Sequence, residues 1–358
     1  MTLRRVSNPP NPWATTEVEW LGEPPPAELE VYEEEAKRAL AENESPDVGF
    51  RWSLNPYRGC FHACSYCYAR SSHQYLGFGA GTDFDRKIVV KTNIAERLRE
   101  DFQRPSWKGE VIAFSGNTDC YQPLEAVYSL TRRCLEVCRE FRNPVGLITK
   151  GALIRRDIPL LAAMSRETNV SVSLSIPFAD DATGRAVEPG ASLPSQRFET
   201  LRMLSDAGIE TGIAIAPVIP GLNDSHVAPL LQRARAAGAR RAFLVLVRLS
   251  GQTLPVFEER LEEAFPDRAR KIWNAIEEMR SGRRNDTRFH DRMTGRGPRW
   301  NAIQTLFDVE CRRLGLNAGF DHPDDREDSA LDASPFRRPS PLGELFPESE
   351  PSGPDSRG

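Results

Sequence analysis

Three cysteines, Cys60, Cys64 and Cys67, fall within one short run, Asn-Pro-Tyr-Arg-Gly-Cys-Phe-His-Ala-Cys-Ser-Tyr-Cys-Tyr-Ala-Arg, residues 55–70. The spacing CxxxCxxC puts three thiolates on one loop. Thiolates are the usual ligands of iron–sulfur cubanes, which normally take four. Three ligands leave one iron with an open position, as a catalytic metal requires and a closed structural site does not. Zinc is the competing metal, since the same cysteines with His62 or His73 would complete a Cys3His set. Paired zinc half-sites would show a second CxxC, and the chain has none. Three plain buried cysteines in so short a loop is the least economical reading.

The remaining cysteines point elsewhere. Seven is an odd number, and Met1 to Val6 leads into Asn and Pro rather than an apolar run, so no secretory leader is expected. A disulfide scaffold is therefore not expected, and a cytoplasmic location is. No uncharged run approaches the ~20 apolar residues that a bilayer span needs. Cys134 and Cys138 lie four apart, on one face of a helix, which is a core pattern. With Cys311 far along the chain, no second cluster motif forms.

A reactive loop needs a frame. Short β-branched runs, 51–55, 111–115, 145–149, 170–176, 212–216 and 242–247, read as strands. Between them lie amphipathic runs, 92–102, 123–141, 157–167, 195–207 and 224–237, with Gly208 and Gly238 suited to helix ends. Strand–helix alternation implies parallel strands with right-handed crossovers. Six units make a partial (β/α)6 barrel of α/β class, with reactive groups at the C-terminal ends of its strands. The cysteine loop directly follows the first of these strands. Residues 1–47 form an N-terminal extension, irregular from Asn8 to Pro26 and helical from Glu28 to Asn43. A core is expected over 48–250, a helical part packed on it over 251–320, and a disordered acidic tail over 321–358.

Charge divides along the same lines. Residues 1–50 hold 11 acidic and 4 basic side chains and residues 321–358 hold 10 and 4, leaving 39 basic against 30 acidic between them. A net of +9 over 51–320 suits an anionic partner such as nucleic acid, or simply arginines spread over solvated faces. The run Arg280–Arg299 concentrates seven arginines near Phe289 and Trp300. It reads as a phosphate strip or, slightly better, as a solvated helix end.

With an aromatic between its last two cysteines, the loop resembles the signature of radical S-adenosylmethionine (SAM) enzymes. Further segments resemble spore photoproduct lyase and the proteins related to it. They are Thr-Asp-Cys-Tyr-Gln-Pro-Leu-Glu (118–125), Thr-Lys (149–150), Glu-Pro-Gly (188–190) and Ala-Pro-Val-Ile-Pro-Gly-Leu-Asn-Asp (216–224). The resemblance covers about residues 48–318. It implies a [4Fe–4S] cluster on Cys60, Cys64 and Cys67, with S-adenosylmethionine chelated at the open iron. Tyr66 would lie against the adenine, and Lys150 would pair with the cofactor carboxylate. Ser175 would donate to that carboxylate or to the ribose, and Thr118 and Asp119 would line the amino side. Ala216 to Ile219, including Val218, would meet the adenine through backbone. Glu188 and Arg197 belong to the matching block and could equally hold a loop by ion pairing. Tyr68 resembles the lyase's hydrogen-relay tyrosine. One departure matters, because the lyase's hydrogen-returning cysteine corresponds to Gly116 here. Cys120, four positions later, could donate from the other side of the loop or be a buried, inert residue.

The activity implied is reductive cleavage of S-adenosylmethionine to a 5′-deoxyadenosyl radical, fed by an external one-electron donor of flavodoxin or ferredoxin type. The substrate could be nucleic acid, as in lesion repair, or a small molecule or peptide. A non-catalytic iron–sulfur sensor is the reading from another class.

Overall fold

The computed structural model describes residues 28–318 and 334–339. The readings made for Asn8 to Pro26 and for most of 321–358 lie outside the described residues. Segment 28–43 is not helical: it forms β1 (Glu30–Glu34) and β2 (Leu40–Glu42). Its glutamates favour helix intrinsically, but sheet edges offer the backbone partners that outweigh so weak a preference. After β3 (Trp52–Leu54) and β4 (Tyr57–Arg58) come the cysteine loop, a 3₁₀ segment (Tyr68–Leu76), α1 (Thr82–Arg86) and β5 (Lys87–Lys91). Strand β5 was not expected from the sequence. It pairs parallel with β1 and antiparallel with β4, making a three-stranded sheet beside the cysteine loop.

The barrel proper follows the expected alternation. It comprises α2 (Ile94–Gln103), β6 (Ile112–Phe114), α3 (Glu125–Tyr128), α4 (Leu130–Glu140), β7 (Val145–Thr149), α5 (Ile158–Ser165) and β8 (Val170–Ser175). It continues through α6 (Asp181–Val187), α7 (Pro194–Asp206), β9 (Glu210–Val218), α8 (Val227–Ala236) and β10 (Arg241–Leu246). The strand order is β10-β9-β8-β7-β6-β3-β2, with β2 antiparallel at one edge and the other six parallel. These six are the predicted strands, and β10 and β2 stand as the two edges, so the barrel is open. Leu54, Phe114, Leu147, Leu174, Ile213 and Leu246, one from each parallel strand, are essentially inaccessible and belong to one continuous core.

The helix expected over 123–141 is two. Ser129 takes a left-handed conformation (φ 51°) and breaks it. The buried Glu125 carboxylate then accepts the Thr131 and Arg132 backbone N–H groups at 2.9 and 3.2 Å, capping α4. The same carboxylate takes the Tyr57 hydroxyl at 2.5 Å and Arg156 at 2.7 Å. It thereby ties the segment before the cysteine loop to the helix after β6.

Beyond β10 come α9 (Thr253–Ala264), α10 (Ala269–Met279) and α11 (Gly297–Leu314), the last packed against α8 and α10. A second core joins Phe257, Leu261, Ile272 and Trp273 to Cys64 and Tyr66, so α9 and α10 wall the cysteine loop. Among the described residues no helix is long and apolar enough to cross a membrane.

Ser334–Pro339 is a docked exception to the acidic-tail reading. The Phe336 ring packs against Phe102 at 5.8 Å and Phe141 at 6.1 Å, and Arg337 N–H donates to the Phe141 carbonyl at 2.9 Å. The Arg338 guanidinium donates to the carbonyls of Phe102, Arg104 and Trp107, satisfying acceptors at and beyond the end of α2. Phe336 is only half-buried, so Phe336→Ala is expected to lower stability by roughly 2 kcal/mol, below the ~3–5 of a fully buried phenylalanine. A denaturant melt superimposable on that of the unaltered chain would refute the docking.

Candidate metal centre

The cysteine loop is anchored on every side by groups distant in sequence. Cys60 N–H donates to the Phe84 carbonyl at 2.9 Å, and Ser65 N–H to Val187 at 3.0 Å. Gln122, from the loop after β6, accepts from Phe61 N–H at 3.0 Å and donates to the Gly59 carbonyl at 3.2 Å. Gly190 N–H reaches the His62 carbonyl at 3.0 Å. A Cβ at residue 190 would sit 2.1 Å from the Phe61 carbonyl oxygen, so no side chain fits there. Thr253, opening α9, donates its hydroxyl to the Cys67 carbonyl at 3.1 Å.

Arg70 is the central anchor. Wholly buried, it gives Nε and Nη2 to the Cys64 carbonyl at 3.1 and 2.8 Å. Its Nη1 goes to the carbonyls of Ala80 and Gly81, both at 3.0 Å. Asp85 balances its charge at 2.8 Å and is shared with Arg260 at 3.0 Å. A fixed planar fork bridging three carbonyls and a carboxylate is a task that only guanidinium performs.

The donor set fits a sulfur-loving cluster. Cys60 and Cys64 are buried and Cys67 half-buried, and all three thiols are free. Ala69 and Phe84 pack against Cys60, with Cys67 alongside. Burial pushes all three thiols up, Cys64 to about 12, with Glu188 adding to this and Lys150 opposing it. Thiols that are costly to ionise in an empty apolar niche become thiolates readily once a metal shares their charge. The backbone N–H groups of Asp119 and Ala69 point at the Cys60 and Cys67 sulfurs, favouring thiolate there. Such hydrogen bonds to sulfur also tune a bound cluster. Among the described residues, no three His, Cys, Asp or Glu side chains converge at the spacing of a single ion. A cubane asks less, because its cysteines bind different irons. Of the histidines weighed for zinc, His62 faces Asp119 at 3.3 Å and His73 lies against Phe78 and Phe84.

Around Cys64 the strand ends contribute a charged floor. Glu188 receives the Tyr66 hydroxyl and pairs with Arg197 at 2.5 Å, all three being buried. Arg197 also donates to the carbonyls of Ser192 and Ser175 at 2.7 and 2.8 Å. Glu188 and Arg197 thus hold the loop by ion pairing, as one of the two sequence readings had it. Lys150, at the end of β7, extends its ammonium over the Tyr66 ring at 5.7 Å. Burial pushes this ammonium down, but Cys64 and Glu188, with help from Asp119, more than reverse the effect against Arg197.

Asp119 is a knot rather than a free ligand. It accepts from Thr149 Oγ1 at 2.6 Å, Lys150 N–H at 2.7 Å and, as an Asx turn, Tyr121 N–H at 2.9 Å. Burial would raise its carboxyl, yet His62 and these donors hold it well below the usual range. Thr118 spends its hydroxyl on the Tyr57 carbonyl at 2.8 Å, and Ser175 donates to the Ala216 carbonyl at 3.1 Å. Ala216 and Val218 lie within β9, joined through Pro217 by a cis Ala216–Pro217 bond. Tyr68 is half exposed and donates its hydroxyl to the Gly116 carbonyl at 2.6 Å.

Cys120 carried two readings from the sequence, donor and buried inert residue. Its side chain is inaccessible in the main core, and burial drives the thiol far above its ordinary range. Such enclosure suits the inert residue of the two sequence readings better than the hydrogen donor. Gly116 offers no replacement, since a Cβ there would meet the Ser53 Cβ at 3.0 Å. Arg70, Gln122, Thr253 and Asn223 were missed. Asn223 pins the turn after β9, accepting from Ile219 N–H at 2.6 Å and donating to Pro177 and Pro217 at 2.7 and 3.0 Å. Arg70, Gln122 and Asn223 fall inside the quoted segments, but nothing local marks their partners.

Arg70→Lys keeps the charge and loses the fork. It is expected to cost roughly 2–3 kcal/mol and to lower the iron retained per chain after reconstitution. Full iron retention and an unshifted melt together would show that the loop does not depend on this anchor.

Comparison with known proteins places this geometry. An uncharacterised protein of Mycobacterium tuberculosis is 41% identical over 220 residues, 61% of this chain and 65% of that one. The chain thus spans a little under two thirds of that relative's length. A radical SAM Nalpha-GlyT isomerase of Pseudomonas phage M6 is 26% identical over 231 residues, 63% of this chain and 46% of that one. The fold is that of spore photoproduct lyase with dinucleoside spore photoproduct, at TM-score 0.59 and 14% identity over 80% of both chains. The family model of the radical SAM superfamily matches residues 54–234, and the chain belongs to that superfamily.

Proposed function

We propose that Cys60, Cys64 and Cys67 hold a [4Fe–4S] cluster with one open iron, and that the chain uses it with S-adenosylmethionine as an enzyme. The observation that carries this is the pinned loop of three free thiols with the Lys150 ammonium and the Tyr66 ring beside Cys64. When bound, the cluster and S-adenosylmethionine together supply a 5′-deoxyadenosyl radical. Lys150 has no hydrogen-bond acceptor among the described residues and stands ready for the cofactor carboxylate. Tyr66, held by Glu188, offers a fixed aromatic face to adenine. The Ala216–Val218 backbone, held at Pro217 by Asn223, meets the adenine in this reading. Asp119, Thr118 and Ser175 act as positioning residues, their side chains spent on other groups of the loops and strand ends. The walls made by α9 and α10 exclude water from the niche.

Tyr68 is the residue placed to meet substrate, half exposed at the mouth where a phenol passes a hydrogen atom. Gly116 and the buried Cys120 leave no thiol there, so the reaction differs from thymine-photoproduct repair by a returned cysteine hydrogen. The substrate proposed is a nucleic acid or its component, supported by the net +9 of residues 51–320 and by the names of the phage isomerase and the lyase. An external donor of flavodoxin or ferredoxin type supplies the electron, in the cytoplasm.

Anaerobic reconstitution with iron and sulfide, followed by dithionite and S-adenosylmethionine, is expected to yield 5′-deoxyadenosine. Cys60→Ala, Cys64→Ala or Cys67→Ala should cut that yield by about two orders of magnitude or more. Lys150→Ala should weaken S-adenosylmethionine binding roughly 10- to 100-fold, the worth of a charge-assisted bond. Tight zinc uptake with no cubane spectrum, or a cubane that never cleaves S-adenosylmethionine, would defeat the proposal, and the second outcome would favour the sensor.

A further inference from the structure

The arginines near the mouth are mostly committed. Arg292 pairs with Asp47 and Ser45, bridging the segment before β3 to the loop after α10. Arg280 is spent on the carbonyls of Val247, Asp291 and Arg292. Arg284 pairs with Glu258 and Glu277, Arg288 and Arg296 with Asp291, and Arg299 with Asp224 and Glu278. Arg283 is solvated. The run Arg280–Arg299 is therefore a set of internal ties, not a free phosphate strip.

Arg248 is different. It follows β10 by two residues, at the C-terminal end of the barrel where reactive groups collect. It is half-buried, its Nε is inaccessible, and it makes no hydrogen bond or ion pair among the described residues. Its electrostatic neighbours are Arg292, Arg280, Tyr68 and Asp47. Of these, Asp47 is already taken by Arg292 and by His290 N–H at 2.5 Å. An Nε–H cut off from water with no acceptor is unfavourable unless an acceptor arrives from outside. Its flat fork matches the oxygens of a phosphate or carboxylate. The positive excess of residues 51–320 favours a polyanion, hence phosphate.

We propose that Arg248 receives a phosphate group of a nucleic-acid substrate and so sets the reacting nucleotide against Tyr68. This rests on the reading of Tyr68 as the substrate-facing residue. Arg248 supplies a binding contact, and the hydrogen transfer belongs to other groups.

The test is fluorescence anisotropy of a labelled ten-nucleotide thymidine oligonucleotide with the reconstituted full chain, across a salt series. Arg248→Gln is expected to weaken binding about tenfold or more and to flatten the salt slope by about one. Arg248→Lys should keep the slope and lose part of the affinity. Unchanged binding by Arg248→Gln overturns the proposal, as does an oligonucleotide that the unaltered chain does not bind or an acidic peptide that binds through Arg248 in its place. If Arg248→Gln does not fold, phenylglyoxal labelling of the unaltered protein decides. Protection of Arg248 by the oligonucleotide supports the proposal, and equal labelling with and without it overturns it. Absence of 5′-deoxyadenosine would remove the radical reading while leaving this binding result intact.

Discussion

The constraint on which the structure turns is that one loop must present three thiols together without regular secondary structure to stiffen it. Buried loop backbone needs hydrogen-bond partners. Here they come from Arg70, Gln122, Thr253, Phe84, Val187 and Gly190, each from a different part of the chain. The cost of withdrawing Arg70 from water is met by Asp85 and four bonds to carbonyls, a geometry in which a buried ion pair is fully satisfied. The small sheet of β1, β5 and β4 and the pair α9 and α10 both border the loop, and Arg260 of α9 reaches Asp85 just before β5.

The polar groups at the strand ends divide into two kinds. Asp119, Thr118, Ser175, Glu188 and Arg197 have their hydrogen bonds filled from within the protein. They make the niche rigid, and rigidity is what a site needs if its cofactor contacts are to be preorganised. Lys150 and Arg248 are instead cations without acceptors among the described residues, the first beside Tyr66 and Cys64 and the second beside Tyr68. The distinction rests on hydrogen-bond accounting and does not require knowledge of the ligand.

Much of the site was legible because it is local. CxxxCxxC is a spacing within one loop, and a thiol's chemistry does not depend on what lies far away in sequence. The place of Lys150 at a strand end was legible from the β-branched run before it, and Lys150 directly follows β7. The choice between the two readings of Cys120 could not be made locally. One residue beyond Asp119 the chain turns inward, and only the folded chain shows that this thiol lies in the core. The segment 28–43 was misread as helix because its own composition cannot reveal that β5 and β3 lie waiting at its sides.

By itself the sequence determined the periodicity of six parallel strands and their alternation with helices, and the spacing of three cysteines within one loop. These follow from near-neighbour patterns, in which apolar spacing and thiol spacing are read directly along the chain. Tertiary structure decided which polar side chains are consumed and which remain available: the sharing of Glu125, the shielding of Arg70, the pairing of seemingly free arginines and the lack of a partner for Arg248 among the described residues. Hydrogen bonds between residues tens to hundreds of positions apart leave no local trace, so their satisfaction becomes visible only when the chain is folded.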